Sequence, residues 1–297
     1  MSENYLEIDS ISSGIVNSVI RIIDKIDKAG GQLSYKDFEI LISLTIVSRE
    51  SVLGFSYFLS CFKIEQEIVY LSPDFKDLDN EIEIYRRINE FFLLKVRPVW
   101  IDRLKWGLAS VAESMDENTR HCFLESGLLQ FNDLSVLKWW YSLPYYGGDV
   151  NNMIIGAIGE LLTVNYEENE RGWNAEVVSL RSSSKGYDIL SIDQEDKCFI
   201  EAKTSQNGSF IFITRNEWDK SKSLSPYFFY IWKLNGEMAD LYIMSPSQLT
   251  EHVPEKSISG IGEFEICKLD LNELLAGYSK SFQCNFRINS KNKLEIY

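Results

Sequence analysis

Three residues in the second half of the chain have the types and spacing to do chemistry. Asp188 opens the apolar stretch YDILSI at 187–192, and Glu201 and Lys203 interrupt the apolar stretch CFIEAKT at 198–204. A charged side chain in such a setting needs a partner or a metal ion, because leaving it bare there is costly. Side chains alternate along a strand, so Glu201 and Lys203 share one face while Ile200 and Ala202 take the other. Two antiparallel strands joined by the turn DQEDK would bring Asp188 and Glu201 close enough to share a hard divalent cation. Mg²⁺ favours a few carboxylates together with water and substrate phosphate oxygens, and Mn²⁺ could take its place. Such an ion polarises a phosphate and acidifies the attacking water, while Lys203 would position that water or neutralise developing charge. The same trio also suits an ordinary ion pair on a strand, and its D-x(12)-E-x-K spacing does not separate the two readings.

The surrounding segments must hold these side chains in place. Short stretches rich in Val, Ile, Phe and Tyr predict strands at 176–180, 187–192, 198–204, 210–214, 227–234 and 241–244, with a helix starting near Met153. Between the fourth and fifth strands, TRNEWDKSKS places Thr214 and Glu217 at the spacing of a capping box, which predicts a helix. One helix, a mostly consecutive sheet and an inserted helix make an α/β core. The loop PYYGGD at 144–149 precedes it, and predicts domains at 1–146 and 150–297.

The first half reads as mostly α. Ile15, Val19, Ile22, Ile23 and Ile26 have helical spacing, Gly30-Gly31 breaks the pattern, and Ser34 is placed to cap a helix through Phe38, Leu41, Ile42 and Leu44. A third helix over 49–62 and an alternating strand at 67–72 follow, an order that suits a winged helix and equally a helical bundle with one hairpin. The segment SRESVLGFSYFLSCFK is poor in basic residues, which favours packing or partner docking over DNA reading. Residues 81–142 continue with helical periodicity, as scaffold.

Composition narrows the function. The net charge is −14, with 15 basic against 23 acidic side chains in residues 1–150. An acidic protein gains nothing from counterion release on DNA unless local patches oppose its overall charge. Residues 171–222 hold 8 basic and 8 acidic side chains, so the surplus lies elsewhere. Five cysteines without a C-x-x-C pair are expected to be reduced core thiols. His121 and His252 are the only histidines, in no metalloprotease or Ser-His-Asp arrangement, and no phosphate-binding glycine loop occurs. No apolar run is long enough to span a bilayer, so a cytoplasmic protein without membrane contact is expected.

The segments GAIGELL (156–162), SKGYDILSI (184–192), FIEAKTS (199–205) and FIFITRNEWD (210–219), in this order, resemble the domain family named after the C-terminus of the plant protein NO VEIN, a branch of the PD-(D/E)XK nuclease superfamily. The resemblance covers about residues 150 to 245. It implies a restriction-endonuclease-like mixed sheet flanked by helices, with Asp188 and Glu201 as metal-binding acids and Lys203 as the superfamily's lysine. Glu160 corresponds to an upstream acid that such enzymes often add, though a helix-surface carboxylate explains it equally. Ala202 stands where many relatives have Val, without consequence for the chemistry. Lys185, Arg215, Lys220 and Lys222 are candidate phosphate contacts or simply solvated charges. The expectation is a Mg²⁺-dependent DNA endonuclease, the effector of a bacterial anti-phage defence complex or a homo-oligomer. The alternatives are a nuclease-fold interaction subunit, consistent with the acidic charge and the aromatic segments LKWWYSLPYY and YFFYIW, and a transcription regulator using the winged helix.

Overall fold

Ser12 accepts the Ile15 N–H on its hydroxyl and so starts α1 (Ser13–Lys28). Apolar residues every three or four positions give α1 a buried face that includes Val16, Val19, Ile22, Ile23 and Ile26. Gly30 and Gly31, both at positive φ, turn the chain into β1 (Gln32–Ser34). Ser34 caps α2 (Tyr35–Ser43) through the Asp37 N–H, as its position predicts. Next come α3 (Arg49–Phe58) and a hairpin of β2 (Phe62–Glu65) and β3 (Ile68–Leu71), turned by Gln66 and Glu67 in the left-handed region. β3 lies between β1 and β2, antiparallel to both. This is the winged-helix order. Periodicity misses two of its strands: β1 is too short to show alternation, and β2 falls where the third helix was expected to end. α4 (Glu81–Val96), α5 (Leu108–Ser114) and α6 (Glu117–Glu125) follow.

The computed structural model describes residues 10–131, 133–178, 185–206, 210–254, 266–290 and 293–297, the side chains of 105 and 106 excepted. The chain divides into two units, Met1–Asp102 with Val111–Gln130, and Arg103–Ser110 with Phe131–Tyr297. The second unit includes α7 (Leu134–Ser142), the PYYGGD loop and α8 (Val150–Asn169), which Asp149 caps.

Mixed α/β architecture follows in that unit, as expected. β4 (Asn174–Val177), β5 (Ile189–Asp193) and β6 (Asp196–Gln206) form a meander, and β7 (Phe210–Thr214) leads into α9 (Arg215–Ser223). β8 (Tyr227–Asn235) and β9 (Met238–Met244) form a further hairpin. After α10 (Pro246–Leu249) come β10 (Ile266–Asp270), α11 (Leu271–Leu274), β11 (Phe282–Ile288) and β12 (Leu294–Ile296). The main sheet has the order β12-β11-β9-β8-β6-β5-β4, with β6 and β8 parallel and its other pairings antiparallel. The sheet follows chain order, as the expectation of a mostly consecutive sheet has it, except that β7 pairs with β10 outside it; β10, β11 and β12 lack a clear signal in the sequence. Residues 179 and 180, the end of the strand expected at 176–180, and Arg181 lie outside the described residues.

The two faces of this sheet differ. Even-numbered residues of β6 and β8 meet α8: Thr204 lies over Gly159, and the Trp232 indole N–H donates to Thr163 Oγ1 at 2.9 Å. Odd-numbered Phe199, Tyr227, Phe229 and Ile231 build the core beneath α9 with Trp218. Among the described residues no helix is long and apolar enough to cross a membrane. Cys61, Cys122, Cys198 and Cys267 are buried, Cys284 is half-buried, and all five are free thiols.

Candidate active site

Residues β6 and β5 share a ladder that ends at the Ile189–Ile200 pair. One residue further, the Asp188 side chain takes over the strand's role, with Oδ2 accepting the Ala202 N–H at 2.9 Å. Asp188 is itself fixed by its backbone, whose N–H donates to the Ile200 carbonyl and whose carbonyl accepts from Val178. The antiparallel register sets Asp188 on the same face as Glu201, and the alternation of β6 adds Lys203, as predicted.

The trio does not stand alone. Lys203 Nζ lies 2.8 Å from Glu201 Oε1 and 2.7 Å from Glu217 Oε2. Glu217 is the third residue of α9 and closes its capping box, accepting the Thr214 N–H at 2.9 Å while its own N–H donates to Thr214 Oγ1. The Tyr227 hydroxyl, at the start of β8, is 2.9 Å from the Gly186 carbonyl and 3.4 Å from Glu201 Oε2. Glu217 had a complete local explanation as a cap, and Tyr227 is hidden in the apolar run YFFYIW, so neither is singled out by sequence pattern.

Three acids around one amine leave the site with excess negative charge. Burial, and then the charge of Glu160, push Asp188 up from 3.8 to about 7, against the pull of Lys203. Glu201, only 3% exposed, is raised well above the ordinary carboxylate range by burial and then by Asp188. Burial opposes the charge of Lys203, yet Glu201, Glu217 and Asp188 together raise its pKa. Burial would also raise Glu217, but Lys203 and the Thr214 donors hold it below the ordinary range.

Glu160 sits on α8, which covers the other face of the sheet. Its charge acts on Asp188, whereas the groups that shift Glu201 are Asp188, Lys203 and Glu217. Seven residues along the same helix, Glu167 is fully buried and accepts from Ser191 Oγ at 2.6 Å, Tyr230 Oη at 2.6 Å and Arg171 at 2.9 Å. That carboxylate has its donors and serves the fold. Gly159 is what brings α8 close, because a Cβ there would lie 1.7 Å from Thr204 Oγ1.

The basic residues named from sequence meet different partners. Arg215 pairs with Asp219 one helical turn on, at 3.0 Å. The Lys220 side chain lies over Gly186, where a Cβ would meet its Cγ at 2.4 Å, and Lys185 is exposed. Lys222 lies 5.0 Å from the centre of the Trp218 ring.

The donor set suits a hard cation. Asp188 and Glu201 offer oxygen ligands from two adjacent strands, and their mutual repulsion is what a divalent charge offsets. Among the described residues no three His, Cys, Asp or Glu side chains gather into a metal cage. An ion here would therefore draw further ligands from water or substrate, as Mg²⁺ commonly does.

No curated protein and no solved structure matches the chain. Residues 159–244, which begin at Gly159 and contain Glu160, Asp188, Glu201, Lys203, Glu217 and Tyr227, match the family model described as Protein NO VEIN, C-terminal.

Proposed function

We propose that the second unit is a divalent-cation-dependent endonuclease of the PD-(D/E)XK type, acting on DNA phosphodiester bonds. The observation that carries this reading is the buried cluster of Asp188, Glu201 and Lys203 on one sheet face, where two acids are raised by burial and then by neighbouring negative charge beside a doubly held amine. Buried acids with raised pKa values beside a specific charge partner are a recurring mark of functional sites, and a bound cation would offset their negative charge.

Asp188 and Glu201 would hold Mg²⁺ or Mn²⁺, with Glu160 adding negative charge on the Asp188 side. When bound, the ion supplies Lewis acidity toward the phosphate and toward the attacking water. Lys203 contributes a fixed ammonium that stabilises charge developing on the phosphate oxygens. Glu217 keeps that ammonium in place, and the Tyr227 hydroxyl orients Glu201. Because chains that join a helical N-terminal region to this domain resemble bacterial anti-phage defence proteins, the proposal extends to a role as the effector subunit of such a complex.

The test is a cleavage assay on supercoiled, linear and single-stranded DNA and on RNA, in Mg²⁺, Mn²⁺ or EDTA. Wild type should cut only with metal, and Glu201→Gln and Lys203→Met should be folded and inactive. Cleavage that survives both substitutions overturns the assignment. One observation favours a second reading, a nuclease fold kept as an interaction module: Lys203 is already neutralised by two carboxylates. Metal-independent assembly into a complex, with no cleavage of any substrate, would establish that reading instead.

A further inference from the structure

Beside the carboxylate cluster, past the point where β5 ends, a cleft of about 520 Å³ opens along β6. Lys203, which pairs with Glu201 and Glu217, is one of its lining residues, so the cleft borders the proposed active site. Asn152 and Gly156 of α8 and Thr204, Ser205 and Gln206 of β6 contribute to one side. Phe210 and Phe212 of β7 and Lys268 of β10 contribute to the other.

We infer that this cleft binds unpaired nucleotides of the substrate strand, with Phe212 as the stacking surface and Lys268 as a phosphate contact. The inference rests on the nuclease reading above. Its first support is exposure. Phe210 and Phe212 occupy alternate positions of β7 and keep 42% and 53% of their surface in solvent, although both belong to a strand whose other face is core. Aromatic faces left open beside a polar cleft suit planar, partly polar ligands, and every nucleobase offers such a face.

The second support is charge. Acidic residues outnumber basic ones in this chain by 44 to 30, yet the described residues lining the cleft include Lys268 and Lys203, the latter paired with Glu201 and Glu217, and no carboxylate. Lys268 pairs with Phe212 in the β7–β10 register, and its Nζ sits 3.6 Å from the centre of the Phe210 ring. The ammonium is thereby held at the rim by a cation–π contact, which leaves its N–H donors for an anion. Asp270, across from Phe210, caps α11 by accepting the Asn272 N–H at 2.8 Å.

The third support is size. A cleft of this volume takes a ligand of nucleotide dimensions. An intact duplex hides its base faces by stacking, so Phe212 can engage only single-stranded or extruded bases.

The experiment is fluorescence anisotropy with the full chain, using labelled oligothymidylate, its duplex with oligoadenylate, and oligouridylate, with Ca²⁺ in place of Mg²⁺. The single strands should bind more tightly than the duplex. Phe212→Ala should weaken that binding about 5- to 100-fold, the range expected for one lost stacking contact, and Phe212→Tyr should retain it. Lys268→Met should lower the salt slope on single strands by about 0.7. Equal affinity for duplex, absence of binding, or an unaltered Phe212→Ala would each overturn the inference. Failure of the nuclease reading looks different: oligonucleotides then bind through Phe212 and are never cut with Mg²⁺ or Mn²⁺. Conversely, metal-dependent cleavage with Phe212→Ala binding as wild type removes the cleft proposal alone.

Discussion

Glu217 meets Lys203 at 2.7 Å with the same carboxylate oxygen that accepts the Thr214 N–H at 2.9 Å. One side chain therefore ends a strand, starts a helix and holds the amine of the site. Cap and charge can be separated, because Gln at this position preserves the capping box but not the ion pair. Glu217→Gln should melt close to wild type and lose about 10- to 100-fold in cleavage, the usual cost of losing the partner of a site residue. Thr214→Ala should do the reverse, losing about 1 kcal/mol of stability with a smaller effect on rate. Calorimetry and initial rates on the two variants check this. Equal rates for Glu217→Gln and wild type would reduce Glu217 to a cap.

The metal-free protein should show the strain of its acids in its pH dependence. Asp188 moves from 3.8 unfolded to about 7 folded, so the folded state binds its proton more tightly. Its contribution to stability is present at low pH and is lost as pH rises from about 4 through 7. In EDTA the melting temperature should therefore carry a falling component over that window, and Asp188→Asn, which does not titrate, should lose the share that belongs to Asp188 while keeping that of Glu201, which burial also raises. Mg²⁺ should restore stability at the high end by binding the ionised pair. Matching pH profiles for Asp188→Asn and wild type would contradict this account.

Gly159→Ala should be among the most damaging single-methyl additions in the second unit. Its new Cβ would lie 1.7 Å from Thr204 Oγ1 and 3.0 Å from Thr204 Cβ, forcing α8 off the sheet. Overpacking of this kind costs about 1–3 kcal/mol. Adding Thr204→Gly makes room and should recover part of the loss in denaturant melts; a double variant no better than Gly159→Ala would place the clash elsewhere.

The two acids of α8 should separate by phenotype. Glu167→Ala strands Tyr230, Ser191 and Arg171 in a buried network, and should cost about 3–5 kcal/mol. Glu160→Gln should leave the melting temperature near wild type while weakening Mg²⁺-dependent cleavage. Comparable destabilisation by both substitutions would assign Glu160 to the fold as well.

Much of this was legible locally. Capping by Ser34 and Thr214, the strands around Asp188 and Glu201, and the shared face of Glu201 and Lys203 all follow from rules that act over two to four residues. The short β1 and the strands β10 to β12 carry too little alternation to register, and their pairing is fixed by distant partners.

Sequence alone thus placed Glu201 and Lys203 on one strand face, because alternation is a property of the backbone itself. Tertiary structure decided their company. Glu217 reaches Lys203 because β7 and α9 carry the chain over to β8, and Tyr227 reaches Glu201 because β8 then runs parallel to β6. Phe212 remains in solvent because β7 leaves the main sheet to pair with β10. Such contacts join residues far apart in the chain and are selected by burial of the whole sheet, for which no local spacing is a signal.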